Sequence, residues 1–226
     1  MSTAVRPVFD HGSGHVLSVG DAQIYFEEAG NPNGPPLLCL HGGLGDMRDL
    51  NPVLPALAGR FRLIGIDFRG HGRSTLGSQP LSYALYRADV QAVLRHLGIA
   101  AARVLGFSDG GITALRLAAE SSSAFNVQQL AAIGAQWRLL ANDPALPLLQ
   151  GLTQADWAGL FPEALPYYTT HNPAPDHAGH RKRRGSIFQH QTAEHALQGR
   201  GANVDPHAGH PFPLHPQHHH GINLRQ

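Results

Sequence analysis

Ser108 lies in the segment "GFSDGG", residues 106–111, directly after the short apolar run "ARVL". Gly106, Ser108 and Gly110 form the spacing G-x-S-x-G. This spacing is typical of a serine on a sharp turn between a strand and a helix, where glycines leave room for the crowded backbone. A serine so placed becomes a nucleophile once a base accepts its proton. The segment therefore predicts a nucleophilic hydroxyl at Ser108, next to a helix N-terminus that favours negative charge.

Two further motifs each follow an apolar run upstream of Ser108. "HGG", residues 41–43, comes after "PLLCL", and "DFRGHGRS", residues 67–74, comes after "RLIGI". Apolar runs of this length that end in glycine-rich segments are typical of strands buried on both faces of a sheet. Because the strands end where the motifs begin, we expect the motifs to meet at one edge of the sheet.

The surrounding sequence supplies the elements that must hold these motifs. "HVLSV" and "AQIYFEE" read as an antiparallel pair around Gly20 and Asp21. A short helix is predicted over 48–58 despite Pro52 and Pro55, and an amphipathic helix over 83–97 that ends at Gly98. "ARVLGF" predicts a strand, "GGITALRLAAE" a helix and "VQQLAAIGA" a final strand. This alternation predicts an α/β fold with a mostly parallel sheet and helices on both faces.

On these three motifs and their order, residues 20–136 resemble the α/β-hydrolase superfamily, and specifically its serine hydrolases with an S-D-G-G elbow, the valacyclovir hydrolase (biphenyl hydrolase-like) group. The resemblance implies an esterase-like enzyme that cleaves a carboxylic ester, thioester or amide through an acyl-enzyme on Ser108. It also implies an oxyanion hole made by the backbone N–H groups of Asp109 and Gly43, with Leu44 as the alternative to Gly43. Carbon–carbon bond hydrolysis and perhydrolysis stay open, whereas serine at the elbow argues against dehalogenase and epoxide-hydrolase chemistry.

Several polar residues near the motifs have structural interpretations. We expect His41 to orient the oxyanion loop, and Asp67, Arg69 and His71 to hold the loop that follows their strand. The Asp109 side chain either contacts a cationic group of the substrate or caps the helix that follows it.

The acid and base that a nucleophilic serine requires are harder to identify. The resemblance implies the chain order serine, acid, histidine, but no apolar run ending in G-D-x-D follows Ser108, so the acid stays unassigned. Among the histidines, His210 is the candidate base because it follows Gly209 and precedes an apolar, proline-rich stretch. The candidate acids that remain are Asp143, Asp156, Glu163, Asp176, Glu194 and Asp205.

The composition changes along the chain and suggests three regions. We expect a hydrolase core over 14–136, the start of a cap over 137–170, and a disordered tail over 171–226 that holds 11 of the 16 histidines. The composition of this tail favours the hypothesis of a frameshift near residue 177, which would leave a truncated hydrolase without its last two strands. The chain would then be an inactive fragment with an exposed sheet edge. Weak metal binding by His218, His219 and His220 is a further alternative.

Bulk properties limit the partners. With a formal net charge of +1 the chain is not expected to bind nucleic acid, even through "RKRR", and no stretch is apolar enough to predict a signal peptide or membrane span. We expect a cytoplasmic protein with a small-molecule substrate and no cofactor or metal; the oligomeric state stays open. Cys39, the only cysteine, excludes an internal disulfide and reads as a buried strand residue.

Overall fold

The computed structural model describes residues 6–119, 125–136, 142, 147, 154–160 and 162–175. A six-stranded sheet has the order β1-β2-β4-β3-β5-β6. The strands are β1 (His15–Val19), β2 (Ala22–Gly30), β3 (Pro36–Leu40), β4 (Arg62–Ile66), β5 (Ala101–Phe107) and β6 (Asn126–Ile133). The helices are α1 (Pro55–Ala58), α2 (Tyr83–His96), α3 (Asp109–Ala119), α4 (Gln154–Leu160) and α5 (Ala164–His171), with a 3₁₀ turn at Met47–Leu50.

The predicted strands are confirmed, together with their directions. β1 and β2 form the antiparallel hairpin, and Gly20 in its turn has a φ of +62°, a conformation that glycine adopts without steric cost. β2 also pairs antiparallel with β4, while β4, β3, β5 and β6 run parallel to one another. The sheet is therefore mostly parallel, and the three motifs follow the carboxyl ends of its neighbouring strands β3, β4 and β5.

Alternating residues of the central strands face two separate cores. Leu38 and Leu40 of β3 pack with α2 and α3, whereas Leu37 and Cys39 face the 3₁₀ turn, α1 and the N-terminal segment. Burial raises the pKa of the Cys39 thiol to about 12, so this side chain stays a protonated core residue. By contrast β6, the last strand within the described part of the chain, is mostly exposed, and Ile133 keeps 51% of its surface.

Helix α2 confirms the amphipathic helix that the sequence predicts. Ser82 caps its N-terminus by accepting a hydrogen bond from the Leu85 N–H at 3.1 Å, and Gly98 follows its C-terminus with a φ of +67°. The predicted helix over 48–58 is wrong as one element: it divides into the 3₁₀ turn and the single turn α1. Proline explains the division, because Pro55 lacks an N–H and starts a new turn at the first helical position.

The N-terminal segment, residues 6–14, packs on the sheet although the core was predicted to start at residue 14. Phe9 is 1% exposed, and a Cβ added to Gly65 of β4 would lie 2.8 Å from its ring. At the other end Asn172, in the predicted tail, is buried. The described helices include none with the length and apolar composition that crossing a bilayer requires. The rest of the predicted tail, from residue 176 onward, lies outside the described residues.

Candidate active site

Ser108 occupies the turn between β5 and α3. Its φ of +51° lies in the left-handed region that side chains rarely adopt, and its N–H donates to the Ile133 carbonyl of β6 at 2.8 Å. A Cβ on Gly106 would lie 2.4 Å from the Gly110 oxygen, and one on Gly110 would lie 2.2 Å from the Leu40 oxygen. Both flanking glycines are therefore required by the backbone, and the turn has the geometry of a nucleophile elbow.

The "HGG" loop lies beside this elbow. A Cβ built on Gly42 would come within 3.4 Å of the Ser108 Cβ, so the two turns are in contact distance. Leu44, two residues on, has a φ of +65°, in the left-handed region that side chains rarely adopt. Asp109 is the first residue of α3, so its N–H has no acceptor within the helix. The structure thus places Gly43, Leu44 and Asp109 on the two turns that flank Ser108.

His41 holds the "HGG" loop through both nitrogens of a fully buried ring. Its Nε2 accepts from the Phe68 N–H at 3.0 Å, which leaves the proton on Nδ1 to donate to the Gly42 carbonyl at 2.6 Å. With both nitrogens engaged, His41 ties the loop after β3 to the loop after β4. The predicted orienting role is confirmed by these two bonds.

The loop after β4 is held by a buried carboxylate and a buried ion pair. Asp67 accepts from the N–H of Met47 at 3.0 Å and from that of Arg73 at 2.8 Å. The Arg69 guanidinium donates to both oxygens of Asp89 on α2, at 2.8 and 2.7 Å. His71 shares a 3.0 Å hydrogen bond with the Arg69 carbonyl. The expectation that Asp67, Arg69 and His71 fix this loop is confirmed.

The Asp109 carboxylate, next to Ser108 in the chain, is buried. It accepts a hydrogen bond from the Tyr83 hydroxyl of α2 at 2.8 Å. This bond ties α2 to the first turn of α3, and no described contact tests the predicted alternative of a cationic substrate group.

A second polar cluster, missed at the sequence level, joins the N-terminal segment to α5. Nε2 of His11 lies 3.0 Å from Asp67 and 3.7 Å from Asp46, while its Nδ1 lies 2.6 Å from the Tyr167 hydroxyl. The Arg48 guanidinium covers the Tyr167 ring, 3.4 Å from its centre. We call these five residues the His11 junction. A sequence separation of 156 residues between His11 and Tyr167 explains why no local pattern could reveal it.

Charges in the junction shift two pKa values in opposite directions. Burial lowers the pKa of His11, but the hydrogen bond to Asp67 and the charges of Asp67 and Asp46 outweigh this effect and raise it. Burial likewise raises the pKa of Asp46, yet hydrogen bonds from Arg48 and the charge of His11 lower it overall. Both shifts favour the charged forms of these buried groups.

His11, Asp46 and Asp67 also place three potential ligand atoms within 4.8 Å of one another. The oxygens already have partners, however: the Arg48 side chain donates to both oxygens of Asp46, and backbone N–H groups occupy Asp67. Because the Arg48 guanidinium already brings a positive charge to both Asp46 oxygens, we assign the cluster as an ion-pair network.

The candidate base His210 lies outside the described residues, as do His218, His219 and His220 of the metal-binding alternative. Of the six candidate acids, only Asp156 on α4 and Glu163 before α5 are described, and both are exposed. No described residue makes a hydrogen bond to the Ser108 hydroxyl.

Comparison with known proteins agrees with this geometry. Residues 35–194 match the family described as the alpha/beta hydrolase fold. The chain is 32% identical over 170 residues to a proline iminopeptidase of Xanthomonas citri, covering 72% of this chain and 50% of that protein. It is 34% identical over 98 residues to a human serine hydrolase-like protein, covering 42% of this chain and 48% of that protein.

A crystal structure of a hydrolase from Pseudomonas aeruginosa has the same fold, with a TM-score of 0.63 at 21% identity over 83% of this chain and 77% of the other. The matched part of the chain spans half or less of the length of the curated relatives. The sequence analysis finds the resemblance over residues 20–136, and the family match extends beyond that range to residue 194. By this match and by its sheet, elbow and loop geometry, the chain belongs to the α/β hydrolase fold family.

Proposed function

We propose that this chain is a serine hydrolase that cleaves a carboxylic ester, or a related thioester or amide, through an acyl-enzyme on Ser108. The observation that carries the proposal is the strained Ser108 turn between two glycines that tolerate no side chain. Proteins retain such backbone strain where the surrounding structure enforces it, commonly at functional sites. The S-D-G-G sequence of the elbow supports a place near the valacyclovir hydrolase group.

In the proposed reaction the Ser108 oxygen attacks the carbonyl carbon while a base accepts the hydroxyl proton. The negative charge that develops on the carbonyl oxygen is stabilised by the N–H of Asp109 and by that of Gly43 or Leu44. A donor of this kind typically lowers the activation free energy by about 3 kcal/mol. The tetrahedral intermediate expels the alcohol, thiol or amine, which takes up the proton, and water then attacks the acyl-enzyme to release the acid.

For the base we retain His210, on the sequence argument of the Gly209-His210 pair. The described histidines of the motifs are poor candidates, because His41 uses both ring nitrogens and Nδ1 of His71 is bonded to the Arg69 carbonyl of its own loop. His11 likewise has a partner on each ring nitrogen. The same observation favours the second candidate function, a folded chain that does not turn over. In this proposal Ser108 is the nucleophile, the "HGG" loop stabilises the oxyanion, and the base is His210, outside the described residues.

Labelling with a fluorophosphonate probe tests the proposal. The wild-type chain should become labelled on Ser108, Ser108→Ala should not, and Ser18→Ala, which removes an exposed hydroxyl on β1, should label like the wild type. His210→Ala should slow labelling by about a hundredfold or more, the size of a general-base effect, whereas His207→Ala should not. A folded wild-type chain without labelling would reject the hydrolase and support the inactive chain.

A further inference from the structure

The His11 junction connects four parts of the molecule that are distant in sequence. His11 belongs to the N-terminal segment, and Asp46 and Arg48 belong to the loop and turn that follow the "HGG" motif. Asp67 belongs to the loop after β4, and Tyr167 belongs to α5. Asp46 is two residues beyond Leu44, so any movement of the junction reaches the proposed oxyanion loop through a very short piece of backbone.

Helix α5 is attached to the sheet at two described points. The first is the bond between the Tyr167 hydroxyl and His11, with Arg48 stacked on the ring. The second is the buried Asn172 amide, which donates to the carbonyls of Gly72 at 2.9 Å and Ser74 at 2.8 Å. The first point contains the imidazole of His11, a type of group that titrates near neutral pH. The His171 ring of α5 also stacks on Tyr167, with the ring centres 3.9 Å apart.

The conformation of His11 indicates that these contacts are specific. Its φ of +57° lies in the left-handed region, which costs about 1 kcal/mol or more for a residue with a side chain. The ring is nevertheless buried, with a partner on each nitrogen, and its edge faces the Tyr25 ring at 5.5 Å. The junction contacts therefore outweigh the backbone strain.

We propose that His11 is a positioning residue that couples the docking of α5 to the loop after the "HGG" motif, most strongly while its imidazole is protonated. The protonated ring donates through Nε2 to Asp67 and through Nδ1 to Tyr167. When the proton leaves, one of these bonds must reverse or break, and the attraction to both carboxylates is lost. The groups that face His11 from the elements packed around it are Asp67, Asp46, Arg48, Arg73, Tyr167 and Tyr25.

The inference goes beyond the proposed hydrolase and does not require turnover, so hydrogen exchange on the full chain tests it directly. Protection of α5 and of residues 42–46, corrected for the intrinsic exchange rate, should fall as the pH rises from the ordinary histidine pKa of 6.5 through the raised pKa of His11. His11→Gln should increase exchange in both regions about tenfold at low pH, the loss of one hydrogen bond to a charged group, and should remove the pH dependence. His15→Gln, the same change on the exposed face of β1, should do neither.

Tyr167→Phe gives an independent test that keeps His11 and the ring under Arg48. It should loosen both α5 and residues 42–46, whereas Tyr168→Phe, which removes the neighbouring hydroxyl of the same helix, should leave residues 42–46 unchanged. The proposal is overturned if His11→Gln retains the pH dependence or if Tyr167→Phe loosens α5 alone. Zinc that tightens α5 in the wild type but not in His11→Gln would replace it with a metal site.

Discussion

The elbow at Ser108 and the His11 junction are attached to the same sheet, yet they are held by different forces. At the elbow the backbone itself is close-packed, and the critical residues are glycines that leave room for neighbouring carbonyls. At the junction polar and charged side chains from four segments hold one another through hydrogen bonds. Sterically determined geometry is insensitive to pH and salt, whereas a charge network responds to both.

The largest effect is expected when a side chain is forced into the elbow. Gly110→Ala would place a Cβ 2.2 Å from the Leu40 oxygen, and the backbone cannot yield without separating β3 from α3. We expect a loss of about 3 kcal/mol or more in the free energy of unfolding, and no probe labelling of Ser108. Gly59→Ala is the matched control, because nothing lies within 4 Å of its added Cβ and its φ of −67° suits alanine. Equal denaturation midpoints for the two variants would contradict the steric account.

A smaller loss is expected at the carboxylate shared by the junction and the loop after β4. Asp67→Asn presents an amide NH₂ where the Arg73 N–H or His11 now donates, leaving a buried donor without an acceptor. Urea denaturation should show a loss of about 2 kcal/mol. Asp10→Asn, at a half-exposed carboxylate of the N-terminal segment, should cost clearly less. If both variants lose the same free energy of unfolding, the His11 junction stabilises the fold no more than an exposed carboxylate does.

Tyr83→Phe tests whether a side-chain hydrogen bond, as well as backbone packing, stabilises the elbow. The change removes the hydroxyl that donates to the buried Asp109 carboxylate and leaves the ring in the core. We expect about 1.5 kcal/mol of destabilisation, the value of a hydrogen bond to a charged group. Ser108 labelling should slow only slightly, because the N–H of Asp109 is positioned by the backbone of α3. Complete loss of labelling in a folded Tyr83→Phe chain would show that the carboxylate takes part in the chemistry.

The smallest effect is expected from pH. Because the pKa of His11 is raised above its ordinary value of 6.5 in the folded chain, its stabilising contribution is complete below that value and is lost as the pH rises through the folded pKa. The melting temperature of the wild type should therefore decline, relative to that of His11→Gln, as the pH rises from 6.5 through the raised pKa of His11. Asp46 titrates well below this range because its pKa is lowered, so it does not mask the change. If the melting temperatures of the two chains depend on pH in the same way, protonated His11 does not stabilise the fold.

Several features could be predicted from sequence because they are local. The strand directions, α2 with its serine cap and Gly98, and the spacing around Ser108 all follow from patterns within about fifteen residues. Proline placement also accounts for the division of the predicted helix over 48–58, since Pro55 begins a turn instead of continuing one. A turn at His11 could also have been predicted locally from Asp10. Its side chain accepts hydrogen bonds from the N–H groups of Gly12 and Ser13, as aspartate commonly does in turns.

What the amino-acid sequence determined by itself is the sheet and the elbow, because alternating apolar residues and steric exclusion around glycine act between near neighbours. Only the tertiary structure decided which polar groups meet. It gave both nitrogens of His41 to neighbouring loops, buried Asp109 behind Tyr83, and brought His11 to Tyr167 and Asn172 to the loop after β4. These pairings depend on how separate segments pack against one sheet, and a buried charge is tolerated only where that packing supplies its partner.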